Sequence, residues 1–108
     1  MQILTPEQAK ASYDECIDTL RDQIADVITR RIVANYKTIE RKNGSIIIEV
    51  RRELFGDNYK SAMVKPIVPE DLIDEVIEAF NKTGWDIKKE QKLPYTIIRV
   101  RKADNESD

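Results

Sequence analysis

Apolar residues recur at Tyr13, Ile17, Leu20, Ile24, Ile28, Ile32, Tyr36 and Ile39, a mean spacing of about 3.7 residues that matches a straight α-helix. The pattern predicts one long helix from Thr5 to Asn43. Thr5 can cap it, Pro6 suits the first helical position, Gln8 can complete a capping box, and Asn43-Gly44 closes it. At 1.5 Å per residue such a helix would run about 55 to 60 Å, longer than the diameter of a compact domain of this size. It must therefore kink or reach beyond its own core.

After Gly44 the period changes to two. Ile46, Ile48 and Val50 alternate with Ile47, Glu49 and Arg51, which predicts a half-buried strand over 45–52. Residues 53–65 show no clean period and read as an ordered loop around Phe55-Gly56-Asp57-Asn58. Pro69-Glu70-Asp71 opens a second helix whose apolar face is Leu72, Ile73, Val76, Ile77 and Phe80 and which stops at Gly84. Trp85, Ile87 and Lys89 then alternate against Asp86, Lys88 and Glu90. A turn at Leu93-Pro94 leads to a last strand, Tyr95 to Lys102, paired with it as an antiparallel hairpin. Trp85 opens the inward register and is expected to be largely buried. The fold class is thus α+β, in the order α-β-α-β-β, with a long N-terminal helix and a second helix on one face of a small, mainly antiparallel three-stranded sheet. A single domain covers 1–102, and 103–108 form a polar, flexible tail.

Composition narrows the function. The 108 residues contain one cysteine and no histidine, so an internal disulfide is impossible and a structural zinc site has no ligand set. Cys16, on an amphipathic helix, reads as a small buried hydrophobe. No apolar run approaches the length of a membrane span and no signal peptide precedes the helix, which points to a cytoplasmic protein. No nucleophile with a neighbouring base, glycine-rich phosphate loop or placed carboxylate pair is evident, so we expect no enzyme activity, cofactor or catalytic residue.

Charge is distributed in blocks: residues 1–28 and 66–83 are each net −4, residues 29–65 are +5, and 84–108 are +1. Three constellations stand out. Asp14, Asp18, Asp22 and Asp26, four residues apart, form an acidic line on the first helix, either a docking edge for a basic partner or a solvated face eased by Lys10 and Arg21. A straight ladder does not converge on a metal ion. Arg30-Arg31, Lys37, Arg41-Lys42 and Arg51-Arg52 form a basic segment that can grip phosphates or pair with acids of the second helix; a pI near 5.3 favours pairing. On the open sheet face Ile47, Tyr95 and Ile97 would lie among Lys88, Arg51, Arg99 and Arg101. Cations beside an aromatic can stack nucleic-acid bases or meet a protein. The expected contact residues are Asp14, Asp18, Asp22, Asp26, Arg51, Tyr95, Arg99 and Arg101.

The stretch Pro69-Glu70-Asp71-Leu72, Val76-Ile77-Glu78-Ala79-Phe80, Thr83-Gly84-Trp85-Asp86-Ile87 and the closing hairpin resembles the small accessory, host-interaction proteins of tailed bacteriophages. In these a long helix, a strand, a second helix ending in a Gly-aromatic pair and a hairpin follow one another. The resemblance is one of architecture, and residues 51–65 have no counterpart in it. It implies a non-enzymatic protein of the bacterial host's cytoplasm that binds and redirects a host macromolecule or counters host defence. Nucleic-acid binding through the arginines, or sequestration of a small anionic nucleotide there, are the alternatives. Because a second helix of about 14 residues and three short strands cover only part of the long stripe, a two-fold homodimer is expected to cover the rest. On that reading Ile24→Asp would give a folded monomer. The competing reading is a bend at Ala34-Asn35.

Overall fold

The computed structural model describes residues 3–56, 68–91 and 96–103. The first helix, α1 (Pro6–Ala34), starts as its sequence dictates: Gln8 N donates to Thr5 Oγ1 (3.1 Å), Thr5 N donates to Gln8 Oε1 (3.0 Å), and Pro6 occupies the first turn. The expected single helix to Asn43 is corrected, because the helix breaks at Asn35. That residue leaves the helical region (φ −119°, ψ 25°), its Nδ2 donates to Arg31 O (2.9 Å), and a separate turn of helix, α2 (Tyr36–Glu40), begins. Asparagine's short amide competes for backbone partners that a helix needs, so the chain bends here. Beyond α2, Gly44 packs against the end of the helix so closely that a Cβ there would lie 2.0 Å from Thr38 O. Only glycine closes this turn.

The sheet has the order β1-β3-β2, antiparallel throughout, from β1 (Ile46–Glu49), β2 (Trp85–Gln91) and β3 (Ile97–Lys102). The α+β architecture expected from the sequence is the one observed, with two further short helices. β1 is shorter than expected, and Val50–Phe55 forms α3 instead of continuing the strand. The reason lies across the ladder: Glu49 pairs with Ile97, and the next residue, Thr96, turns to φ +53°, so residues after Val50 have no extended partner. Gly56, at φ +82°, ends α3. Residues 57–65 of the expected loop lie outside the described residues, as does Tyr95.

The inward rows of the sheet follow its register. Ile46, Val100 and Ile87 form one row and Ile48, Ile98 and Lys89 the next. Over them lie Leu20, Ile24, Ile28 and Ile32 of α1, Ile39 of α2, and Leu72, Ile73, Val76 and Ile77 of α4 (Glu70–Asn81), one core with Val50 and Val68. Asn81 ties α4 to β2 by accepting from Ile87 N (2.7 Å) and donating to Ile87 O (3.2 Å). Trp85 is only half-buried at the rim of this core, a correction to the expected interior position. It sits at the first position of β2, paired with Lys102 at the end of the sheet. Trp85→Ala should therefore cost about 2 kcal/mol rather than the 3 to 5 of a buried aromatic, measured by denaturant unfolding.

The core uses only part of the stripe on α1. Ile24 is fully enclosed by its own chain, so the middle of the stripe needs no second copy, contrary to the expectation that Ile24 lies at a subunit contact. The covered length runs from Ile17, partly buried against the core, to Ile32. The opening turns of α1 project past the sheet and α4, which gives the described molecule extents of 62 × 28 × 21 Å. Cys16, expected to be buried, is exposed on this arm.

Candidate functional site

The most connected polar cluster lies beneath α4. Glu70, at its first turn, accepts from Arg51 Nη2 (2.8 Å) and Thr96 Oγ1 (2.6 Å) at Oε1, and from Lys89 Nζ (2.6 Å) at Oε2. Thr96 Oγ1 in turn accepts from Arg51 Nε (3.0 Å), and Lys89 reaches Asp74 Oδ1 (2.6 Å). Burial pushes the Glu70 carboxyl up, but the hydrogen bonds from Lys89, Thr96 and Arg51 outweigh it and hold its pKa at about 2. For Lys89 burial likewise works against the charge, and the bonds to Asp74 and Glu70 win, so its pKa is raised. Such a carboxylate stays ionised and fully engaged at neutral pH, which suits a structural joint between α3, α4, β2 and β3 and not proton transfer. Thr96, fully buried with a left-handed backbone rare for a β-branched residue, is held in that conformation by the joint.

Arg51 therefore leaves the set of surface contacts: it is buried and committed to Glu70, on the face opposite the open sheet. The pairing is with an acid of the second long helix, as the charge balance favoured. The sequence did contain a signal for the joint. Lys89 falls in the inward register with Trp85 and Ile87, and an inward lysine demands a carboxylate.

On the open sheet face Arg99 Nε donates to Glu90 Oε2 (2.6 Å) and Nη1 to Ser45 Oγ (3.0 Å), while Arg101 Nε donates to Asp86 Oδ2 (2.7 Å). With Lys88 these side chains line a shallow cavity of about 230 Å³. The hydrogen bonds between Arg99 and Glu90 lower the pKa of the acid and raise that of the base. This face is a ladder of cross-strand ion pairs, and its cations are largely neutralised. Ile47 is exposed among them, and Tyr95 is outside the described residues.

The aspartate line on α1 is likewise eased by neighbours: Asp14 pairs with Lys10 (2.9 Å), Asp18 with Arg21 (2.7 Å), and Asp26 with Arg30 (2.9 Å). Arg21 also reaches Glu75 of α4 (2.7 Å), and its hydrogen bonds to Asp18 and Glu75 raise its pKa. Among the described residues no group of side chains converges to hold a metal ion, and no helix is long and apolar enough to cross a membrane.

Two surfaces remain. At one end, the arm exposes Ile3 (78%), Leu4 (63%) and Tyr13 (57%), and a mostly apolar groove runs along Cys16, Thr19, Leu20 and Gln23. At the other, Arg41, Lys42, Arg101 and Lys102 surround a cavity of about 390 Å³. Periodicity puts Tyr13 in the apolar stripe but does not say where the cover of that stripe ends. Compared with known protein families, curated proteins and solved structures, the chain matches none of them.

Proposed function

We propose that this is a non-enzymatic interaction protein that holds out the N-terminal turns of α1 for insertion into an apolar groove on a partner protein. In line with the resemblance to phage accessory proteins, that partner is a host macromolecule whose function it modulates or inhibits. One observation carries the reading: a well-capped helix extends for about three turns beyond its outermost core contact at Ile17, with Tyr13 exposed on it and Ile3 and Leu4 exposed just ahead of its cap. Those side chains contribute little to the fold, and an isolated helix of that length is marginal in water, so it is continuity with the buried half that keeps the arm formed. Binding would then cost little ordering entropy. Helices docked in grooves use anchors three or four residues apart, the spacing of Ala9, Tyr13 and Cys16. The acids Asp14, Glu15, Asp18 and Asp22 lie on the opposite side of the helix from these anchors, so the groove that receives them is apolar rather than basic.

A second copy is the other occupant, favoured by the alternating steps of four and three in Ala9, Tyr13 and Cys16, the spacing of a two-helix seam, from which those acids point away.

Cys16 allows a direct test. The protein labelled at Cys16 with a thiol-reactive photocrosslinker and exposed to bacterial extract should form one discrete adduct heavier than two copies of the chain. Tyr13→Asp should abolish it while changing stability by less than about 0.5 kcal/mol. An adduct of twice the chain mass, with a matching mass by sedimentation, would assign the arm to self-pairing. Adducts that survive Tyr13→Asp would rule the arm out as the contact.

A further inference from the structure

Of the lysines and arginines among the described residues, ten are paired with a carboxylate and five are not: Arg41, Lys42, Lys82, Lys88 and Lys102. Three of those five converge on one cavity. In a chain of net charge −2, with acids to spare, that convergence runs against the pairing seen elsewhere on the surface.

The local chain builds this arrangement. Gly44 N donates to Arg41 O (2.8 Å) and Asn43 takes a left-handed conformation (φ +61°), a tight turn that sets Arg41 and Lys42 on one side of the cavity. Gly44 lets the turn press against the carbonyls at the end of α2, where any side chain would collide. From the other side β3 contributes Arg101 and Lys102 on consecutive residues, which alternate faces and so straddle the sheet's end. Asp86 binds only the Nε of Arg101 and so orients the guanidinium, whose terminal nitrogens have no partner among the described residues. The carboxylate neutralises one of four cations. Held close together with no other counter-ion among the described residues, the remaining charges repel one another, and an anion bound between them relieves that repulsion.

We propose that this basin binds a small molecule carrying two or more phosphate groups. A diphosphate offers oxygens enough for the guanidinium forks of Arg41 and Arg101 and the ammonium groups of Lys42 and Lys102 together. The volume of about 390 Å³ exceeds what a single phosphate fills and leaves room for the organic part of a phosphate ester. The site lies beyond the C-terminal end of α1, whose 29 residues separate it from the arm's first turn by about 43 Å. It is therefore independent of the partner-binding arm.

The test is calorimetric titration of the full chain at about 50 mM salt, where screening is modest, with pyrophosphate, ADP and a twelve-nucleotide single-stranded DNA as probes. Pyrophosphate and ADP should both bind, and Lys42→Gln combined with Lys102→Gln should weaken them by about tenfold or more. Lys10→Gln with Arg30→Gln removes the same charge from exposed positions on α1 that do not line the basin and should change affinity by less than about twofold. Amide shifts on binding should centre on Asn43, Gly44 and Ala103. Equal losses in the two double variants would show diffuse attraction and overturn the site. So would absence of pyrophosphate and ADP binding in the wild type, whether or not the DNA binds. Binding of ADP without pyrophosphate would overturn the role given to the phosphates.

Discussion

Ile24→Asp should unfold the protein rather than separate subunits. Ile24 is fully enclosed in the cluster made by α1, α4 and the inward rows of the sheet. Removing its aliphatic side chain alone would cost about 2 to 5 kcal/mol in lost transfer energy and cavity formation. The carboxylate that replaces it would have no charge partner there, which adds several kcal/mol or forces the group to protonate. Together these approach the whole stability of a domain of this size, about 5 to 15 kcal/mol. The expected result is loss of the helical circular-dichroism signal and of cooperative melting at neutral pH. A variant that stays folded, with a sedimentation mass of one chain from a wild type of two, would instead restore Ile24 to a subunit contact. Tyr13→Asp on the arm is the contrasting substitution, expected to leave melting unchanged.

Glu70→Gln should cost about 3 kcal/mol and flatten the acid limb of the stability profile. In the wild type one carboxylate accepts from Arg51, Thr96 and Lys89. An amide of the same shape turns its NH₂ toward at least one of these donors and leaves the charge of the buried Arg51 without its partner. The pH dependence has a definite sign. Glu70 has a folded pKa of about 2, below its ordinary value of 4.5, so the stabilisation is fully present above about pH 5 and is lost as pH falls toward 2. A shift of that size corresponds to roughly 3 kcal/mol at neutral pH, an upper figure because the side chain retains 24% exposure. Denaturant unfolding between pH 2 and 7 should show the wild type losing stability steeply across that window and Glu70→Gln losing much less. Glu90, also lowered by Arg99, is present in both proteins, so the difference between the two curves reports Glu70. Parallel curves would mean that the joint contributes nothing to folding.

What the amino-acid sequence determined by itself was the set of local decisions. The capping box at Thr5 and Gln8, the 3.7-residue stripe on α1, the acidic start of α4, and the alternation in β2 and β3 depend on side chains within a few residues of one another. Their outcome follows from helix and strand geometry. Even the break at Asn35 was legible as a weak point, because a short amide competes with the helix for its own carbonyls. Past Val50 the alternation continues but the strand does not. Val50-Arg51-Arg52 continues a strand locally, but a strand persists only while a partner strand supplies hydrogen bonds, and Thr96 turns away at that row.

The tertiary structure alone decided how each periodic face was covered. Tyr13, Ile24 and Ile28 occupy equivalent places in one stripe, yet Tyr13 is exposed and the other two are enclosed. The difference lies in the reach of α4 and the sheet, which no pattern within α1 encodes. The same holds for charge. Arg51 and Arg41 look alike in a basic run, but one is buried against Glu70 and Thr96, from 19 and 45 residues away, while the other faces a cavity shared with Arg101 and Lys102. Periodicity records which side of an element is apolar. Burial, ion pairing and the sharing of a site are set by elements distant in sequence, and these are settled only when the chain closes on itself.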